Sequence, residues 1–484
     1  MGAIVAAIDK KGEDVVPQVA LMLSELKHRG TDAHGIATSN SVKLTKSIEQ
    51  MAKENLSSNI ALGHNLSQIF SDDQPQPILG DGYAFVFEGH IFPTSETPIV
   101  EVLLRNLKSD IRRDGANTIK ETEGSYVFSI ASSDKLIAGR DALGTTSLYY
   151  GENETTCAIA SERKALWKIG IKNAKSFPPG NLARIDAKGF TFQPIQTIRQ
   201  PSVRCVSMES AAKHLQNLLV ESTRKKVSDV KKVAVAFSGG LDSSVIGVLA
   251  KLCKKEVHLI SVGLANQKEI IYAKKAAEAL NMPHHVQTYE IGQVKEVLPK
   301  VLWLIEQPNA VNASIAIPVY WVAKAASHLG CHVMLAGQGG DELFGGYHKY
   351  LTKYKHGIAS LNEAMYHDIA CSYETNFQRD SQICAFHKVE LRLPFVDSEV
   401  IQYALSLPIN LNIKSTEDPL RKRVLRKVAQ NLKLPSSIVN RRKKAIQYAT
   451  GVDKALRKLA KEEGLPLQKY IEKVFRKVYP EVEV

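Results

Sequence analysis

The 484-residue chain has no run of 18 apolar residues, so no segment is expected to cross a membrane as a helix. Its opening, MGAIVAAIDKKGED, lacks the basic segment that precedes the apolar core of a secretory signal. Cysteine is sparse. The six stand at 157, 205, 253, 331, 371 and 384, none in a C-x-x-C pair or a zinc-type His/Cys cluster. Scattered thiols fit a reducing compartment, so a cytoplasmic location is expected. The first 156 residues have no cysteine at all. Gly 30 and Pro 19 are too few for collagen-like or low-complexity chains, and 44% apolar with 23% charged residues excludes disorder as the dominant state. The G-x-x-x-x-G-K-S/T string of γ-phosphate loops is missing. No RRM, KH or zinc-finger pattern accompanies the net charge of +13, which weighs against nucleic acid as a partner. Ten Lys/Arg and no acid nevertheless lie between Arg421 and Lys444. That run reads as a solvated face, a polyanion site or a nucleic-acid surface.

What is present changes character along the chain. Residues 1–195 carry short apolar or alternating runs: Ile4–Ile8, Tyr83–Phe87, Tyr126–Ile130, Leu136–Ala138 and Leu148–Tyr150. Turn signals such as Asp81-Gly82 and Glu123-Gly124 separate them. Val16–Lys27 repeats apolar residues at helical spacing. An α+β domain of antiparallel strands is expected. Polar Gln193–Cys205 reads as a linker. From 205 to 484, strands (Val233–Phe237, Val257–Val262, near Val286, His332–Ala336) alternate with helices (Ala211–Lys225, Val245–Cys253, Glu269–Leu280, Val319–Ser327). This α/β alternation implies a doubly wound parallel sheet, followed by a mostly helical part beyond Tyr347.

Two strand ends carry the chemistry. Val233–Phe237 runs into Ser238-Gly-Gly-Leu-Asp-Ser-Ser244. Glycines let backbone N–H groups turn toward a ligand, and a helix N-terminus favours an anion. His332–Ala336 runs into Gly337-Gln-Gly-Gly-Asp-Glu-Leu-Phe-Gly-Gly-Tyr347, with five glycines within ten residues. Asp242 and Asp341 would then lie at the ends of two sheet strands, and Mg²⁺ takes one or two carboxylates plus phosphate oxygens.

The SGGLDSS string resembles the pyrophosphate loop of the ATP-pyrophosphatase superfamily. With the second loop, and with Ile305-Glu306, Ile317-Pro-Val-Tyr320, Glu390–Asp397, Lys422–Arg426 and Arg442–Gln447, the chain resembles the asparagine synthetase family. The resemblance implies ATP and Mg²⁺ as cofactors, and an AMP-forming ligase that adenylates an acid, aspartate first, and aminates it. A β-lactam-synthetase-like relative acting on another acid is the alternative. Residue by residue, the resemblance assigns Ser238, Gly239, Gly240, Asp242 and Ser243 to pyrophosphate. It assigns Asp242 and Asp341 to the metal, and Phe237, Val262, Ala336 and Gly337 to the adenosine. Glu306 becomes a proton-handling carboxylate, and Lys422 and Arg426 cations near the phosphates. A homodimer is an open expectation. The chain departs from the family at Gln338, where an acid is usual, at Asn309, and in 263–269, which lacks S-P-D.

Residues 1–195 resemble the class II glutamine amidotransferase domain, an Ntn-hydrolase-like fold of two antiparallel sheets. The strings are His28–Gly35, Gly63-His64, Gln76-Pro77, Gly139–Gly144, Ala160–Glu162 and Phe177–Gly180. The family's nucleophilic cysteine is replaced by Gly2, and its N-G-E oxyanion string reads Glu88-Gly89-His90. The arginine after Gly-His is missing, with Asn65-Leu66 there. The resemblance therefore implies a retained scaffold without glutaminase activity, with ammonia as the nitrogen donor.

Overall fold

The computed structural model describes residues 2–48, 56–70, 73–92 and 111–482, and the chain divides into two compact units, Met1–Thr197 and Ile198–Val484. Among the described residues no helix is long and apolar enough to cross a membrane.

The first unit contains strands β1 (Gly2–Asp9), β2 (Ala33–Ala37), β3 (Val42–Thr45), β4 (Ile60–Leu66), β5 (Ile78–Leu79), β6 (Ala84–Ile91), β7 (Gly124–Ala131), β8 (Leu136–Arg140), β9 (Tyr149–Glu152), β10 (Thr156–Ala160), β11 (Lys175–Ser176), β12 (Asn181–Asp186) and β13 (Gly189–Pro194). They form a seven-stranded sheet, β11-β9-β10-β1-β4-β2-β3, and a six-stranded sheet, β13-β12-β8-β7-β6-β5. Successive side chains of a strand point to opposite faces. In β1, Ile4, Ala6 and Ile8 therefore join Val86, Val127 and Ala138 of the other sheet in one core. Ala3, Val5 and Ala7 meet Val16, Val19 and Leu23 of the helix Val16–Glu25 in another. Burial on both faces explains why β1 is apolar throughout rather than alternating. The expected linker begins too early, because Gln193 and Pro194 still pair with Leu182 and Asn181.

The second unit is built on a parallel sheet, β16-β15-β14-β17-β18, of β14 (Lys232–Ala236), β15 (Glu256–Leu264), β16 (His284–Tyr289), β17 (Val333–Leu335) and β18 (Glu390–Arg392). The chain winds outward from β14 to β16, then returns to lay β17 on the other side of β14. This reversal of strand order opens a crevice beyond the carboxyl ends of β14 and β17, where such sheets bind ligands. Both glycine-rich loops emerge there. Two elements escaped the sequence reading. The helix Ile291–Ile305 carries Gly292 and Pro299, which weaken a helical pattern, but starts in a capping box of Glu290 and Gln293. Strand β18 is only three residues long. Its buried Arg392 is polar and is held by Asp229 (2.5 and 2.7 Å) and Glu390 (2.8 Å) rather than by apolar contacts.

Candidate active site

In the second unit, β14 ends at Ala236 and the helix Leu241–Leu252 begins directly after Gly240. Asp242 and Ser243 thus sit in the first helical turn, earlier than the expected helix start at Val245. Ser243 Oγ accepts from the Ser238 backbone N–H at 3.2 Å and lies 3.2 Å from Ser238 Oγ. Gly239 has φ +63, and a Cβ there would come within 2.8 Å of Ala273 Cα, so only glycine fits without strain.

Across the crevice, β17 leads through Ala336 and Gly337 into the short helix Gly340–Phe344, which carries Asp341 and Glu342. Lys422, nearly fully buried, reaches between the two loops. Its Nζ lies 2.8 and 2.6 Å from the Asp242 oxygens and 2.6 Å from Asp341 Oδ1. Gly346 gives it passage, since a Cβ there would stand 2.3 Å from Lys422 Cε. Lys443 Nζ holds the other Asp341 oxygen at 2.5 Å. Burial alone would raise the Asp341 carboxyl; the Lys422 and Lys443 ammonium groups outweigh it and hold it well below the usual range. Burial and the neighbouring Asp341 push Glu342 the other way, upward.

Most of the expected site residues of the second unit line two adjoining spaces. Phe237, Ser238, Asp242, Ser243, Val262, Ala336, Gly337 and Asp341 line one cavity of about 280 Å³, with Ile260, Met334 and Val322 supplying apolar wall. Gly240, Lys422 and Arg426 line an adjoining recess, which shares Ser238 and Asp242 with that cavity. Gly239 shapes the loop between them. Arg426 does not present a free fork to phosphate. It donates to the carbonyls of Arg421 (2.7 Å), Leu420 (2.5 Å), Arg441 (3.1 Å) and Val439, and so fixes the backbone that carries Lys422 and Lys443. Glu306 is buried, in left-handed conformation after the helix Ile291–Ile305, and accepts from Gln382 Nε2 at 3.2 Å. It is not among the residues lining the cavity.

Lys443 was hidden in the basic run, where charge density alone does not single out one residue. Fold resolves the run. Arg441 stacks over Tyr272 and donates to the Ser238 carbonyl at 3.2 Å, Lys444 pairs with Glu269 at 2.5 Å, and Arg421 donates to the Gly346 carbonyl at 3.1 Å. Asn309 caps the helix Ala310–His328 by accepting from Asn312 N at 2.9 Å.

Among the described residues no cluster of three or more His, Cys, Asp or Glu could hold a metal. Mg²⁺ needs no such cluster where phosphate oxygens complete its shell. One oxygen each of Asp242 and Asp341 lies 2.6 Å from the same nitrogen, so the two converge on one point. Asp341 Oδ1, buried, receives no aligned hydrogen bond from the protein although Lys422 is adjacent. The donor set fits a cation shared with pyrophosphate.

In the first unit, Gly2, Glu88 and Gly89 come together differently. Gly2 N donates to Glu88 Oε1 at 2.7 Å, and His64 Nε2 lies 3.6 Å from Glu88 Oε2. Burial would raise the Glu88 carboxyl; positive charge from the amino terminus, His64 and Arg29 brings it down to about 2. A Cβ on Gly2 would stand 2.1 Å from the Asn65 carbonyl oxygen, and one on Gly89, at φ +124, 2.1 Å from that of Ser125. Asn65 is itself a scaffold residue, donating to the Leu23 carbonyl at 2.8 Å and meeting His34 Nδ1 at 2.7 Å.

A parallel sheet whose switch point carries a glycine loop, paired carboxylates and a lysine between them defines a nucleotide-dependent enzyme of the doubly wound α/β class. Comparison with known proteins narrows the class. The asparagine synthase family model matches residues 214–358 and 353–479, and the glutamine amidotransferase domain model matches 64–168. A Methanocaldococcus jannaschii protein described as a candidate glutamine-hydrolysing asparagine synthetase is 30% identical over 95% of this chain and 96% of its own length. The root asparagine synthetase of Pisum sativum is 25% identical over 79% of this chain and 68% of its own. A Saccharomyces cerevisiae protein with an asparagine synthetase domain is 26% identical over 76% and 79%. Among solved structures, the glutamine phosphoribosylpyrophosphate amidotransferase of Bacillus subtilis aligns with 16% identity and TM-score 0.35 over 75% of this chain and 79% of that one. The chain belongs to the asparagine synthetase family and is a carbon–nitrogen ligase.

Proposed function

We propose that the chain makes asparagine from aspartate, ATP and free ammonia, releasing AMP and pyrophosphate. The observation that carries the ATP half is the convergence of Asp242, Asp341 and Lys422 at the Ser238–Ser243 loop. In this reading a substrate carboxylate oxygen attacks the α-phosphorus and pyrophosphate departs; ammonia then adds to the acyl carbon and AMP leaves. The Ser238 and Ser243 hydroxyls and the helix N-terminus hold the departing phosphates. Asp242 and Asp341 would hold Mg²⁺, which would supply charge neutralisation on pyrophosphate. Lys422 supports the charge that grows on the phosphate oxygens as the bond breaks, an effect that raises turnover rather than affinity. Arg426 keeps Lys422 in place through the carbonyls it binds.

Ammonia as donor is supported by Gly2, where a Cβ would collide with the Asn65 carbonyl, and by Glu88, which its backbone N–H engages. Glycine offers no nucleophile, and Glu88 opposes an oxyanion at the position where the family places an asparagine. The test is pyrophosphate release from ATP over a panel of acids, with ammonium or ammonia-free glutamine. Aspartate with ammonium should be the productive pair; release of ADP and orthophosphate would refute the reading, and a different preferred acid would favour the β-lactam-synthetase-like alternative.

A further inference from the structure

The Ser238–Ser243 loop is anchored from outside the cavity. Strand β14 ends at Ala236, and beyond it the Phe237 backbone N–H still donates to the Ile260 carbonyl at 2.8 Å. The Phe237 carbonyl is held by a side chain: Ser261 Oγ, buried on β15, donates to it at 2.6 Å. His284 opens β16, and its Nε2 lies 2.8 Å from the same Ser261 Oγ. A serine hydroxyl has one proton. With that proton committed to Phe237, the hydroxyl can only accept from His284, so Nε2 carries the ring proton. Burial, with His285 and Lys274 nearby, brings the His284 ring down to about 4, so at neutral pH Nε2–H is its only ring donor. The ring also meets the Phe237 side chain edge-on, with centroids 5.6 Å apart. Phe237 and Ser261 line the cavity; His284 does not, and faces a separate groove beside Lys274, Asn281 and Met282. One directed chain, His284 N–H to Ser261 O–H to Phe237 C=O, thus runs from β16 across β15 to the residue before Ser238.

We propose that His284 and Ser261 are positioning residues for the Ser238–Ser243 loop and set how it meets the phosphates of ATP. The inference rests on the ATP-dependent reading above. Members of a hydrogen-bonded chain strengthen one another, and a hydroxyl that accepts from His284 while donating to Phe237 is held in one rotamer. Without the His284 donor, the Ser261 hydroxyl is free to turn into the cavity it lines, and the Phe237 carbonyl loses its partner. The loop begins at the next residue. Ser238 N and Ser238 Oγ each lie 3.2 Å from Ser243 Oγ, so a displaced Phe237 carries both hydroxyls with it. His284 is neutral and outside the cavity, so its loss leaves the charges of Asp242, Asp341 and Lys422 in place. The expected mark is weaker ATP binding in the ground and transition states alike, which raises KM and spares kcat.

The test is pyrophosphate release by the full chain with aspartate and ammonium. His284→Phe keeps a ring against Phe237 and removes the donor, whereas His284→Gln keeps a donor. His284→Phe and Ser261→Ala should each raise the KM for ATP about 5- to 10-fold, the loss of one hydrogen bond, with kcat and the KM for aspartate within about 2-fold. His284→Gln should stay within about 2-fold of the unaltered protein on all three. Because the two residues act through one chain, the double variant should be within about 2-fold of the worse single variant. Melting temperatures read folding separately. A fall in kcat with the KM for ATP unchanged, a His284→Gln variant as impaired as His284→Phe, or fully additive losses in the double variant would overturn the proposal. Calorimetric titration with MgATP alone repeats the comparison without turnover. A protein that binds MgATP but does not use aspartate fails the asparagine reading only, and equal MgATP affinity in the unaltered protein and His284→Phe would then overturn the positioning role. No MgATP binding by the unaltered protein would overturn both.

Discussion

Each unit holds a buried carboxylate whose pKa is pulled below the ordinary range by nearby positive charge, Glu88 in the first and Asp341 in the second. The partners differ. Glu88 is engaged by the backbone N–H of Gly2 and by His64, on strands whose register is set by two sheets. Asp341 is engaged by the ends of two lysine side chains beside a cavity. A backbone partner cannot leave without unpairing a strand, whereas an ammonium on a four-carbon stem can turn toward an arriving phosphate. The same electrostatic ingredient is a structural clasp in one unit and, on the proposed reading, a ligand site in the other.

The comparison is broken most severely at the second pocket. Asp242→Asn and Asp341→Asn should each reduce ATP turnover about 100-fold or more, measured as pyrophosphate release, because a neutral amide binds Mg²⁺ poorly and no longer pairs with the Lys422 ammonium. Lys422→Ala should lower kcat about 10- to 100-fold while leaving the KM for ATP nearly unchanged; a raised KM at constant kcat would assign it to ground-state binding. In the first unit the expected effects are on stability. Gly2→Cys should cost about 1–3 kcal/mol by overpacking against the Asn65 carbonyl, read by thermal melting, and should create no glutaminase.

Glu88→Gln sharpens the same point through pH. The folded carboxyl sits at about 2 against an ordinary 4.5, so its contribution is complete above 4.5 and disappears as pH falls toward 2. The variant should lose about 1–3 kcal/mol at neutral pH and lose that part of the acid sensitivity. Equal acid titrations for both proteins would contradict the clasp. Lys444→Ala should matter least. Its pair with Glu269 leaves the lysine 47% exposed and is worth at most about 1 kcal/mol.

Much of this contrast is legible in the sequence. Strand-to-loop strings such as Val233–Ser244 state their own geometry, because an apolar run, two glycines and a helix start leave few ways to fold. The loss of a thiol at Gly2 is likewise plain. What was not legible depends on contacts between distant segments. Nothing local separates Lys443 from its neighbours in Arg441–Lys444, and only the fold brings it to Asp341, about 100 positions earlier. Arg426 reads as a phosphate cation until the carbonyls around it are seen. Strand β18 was missed for a related reason, since its buried member is a paired arginine instead of an apolar residue.

Ligase chemistry in the second unit and the loss of glutaminase chemistry in the first are tested most directly by the nitrogen donor. The purified full chain is given MgATP, aspartate and either ammonium or ammonia-free glutamine, and asparagine and glutamate are measured. Asparagine should form with ammonium alone. At fixed total ammonium its rate should rise with pH as neutral NH₃, the nucleophilic form, increases. Stoichiometric glutamate and asparagine from glutamine would contradict the account and require a nucleophile other than the residue at position 2.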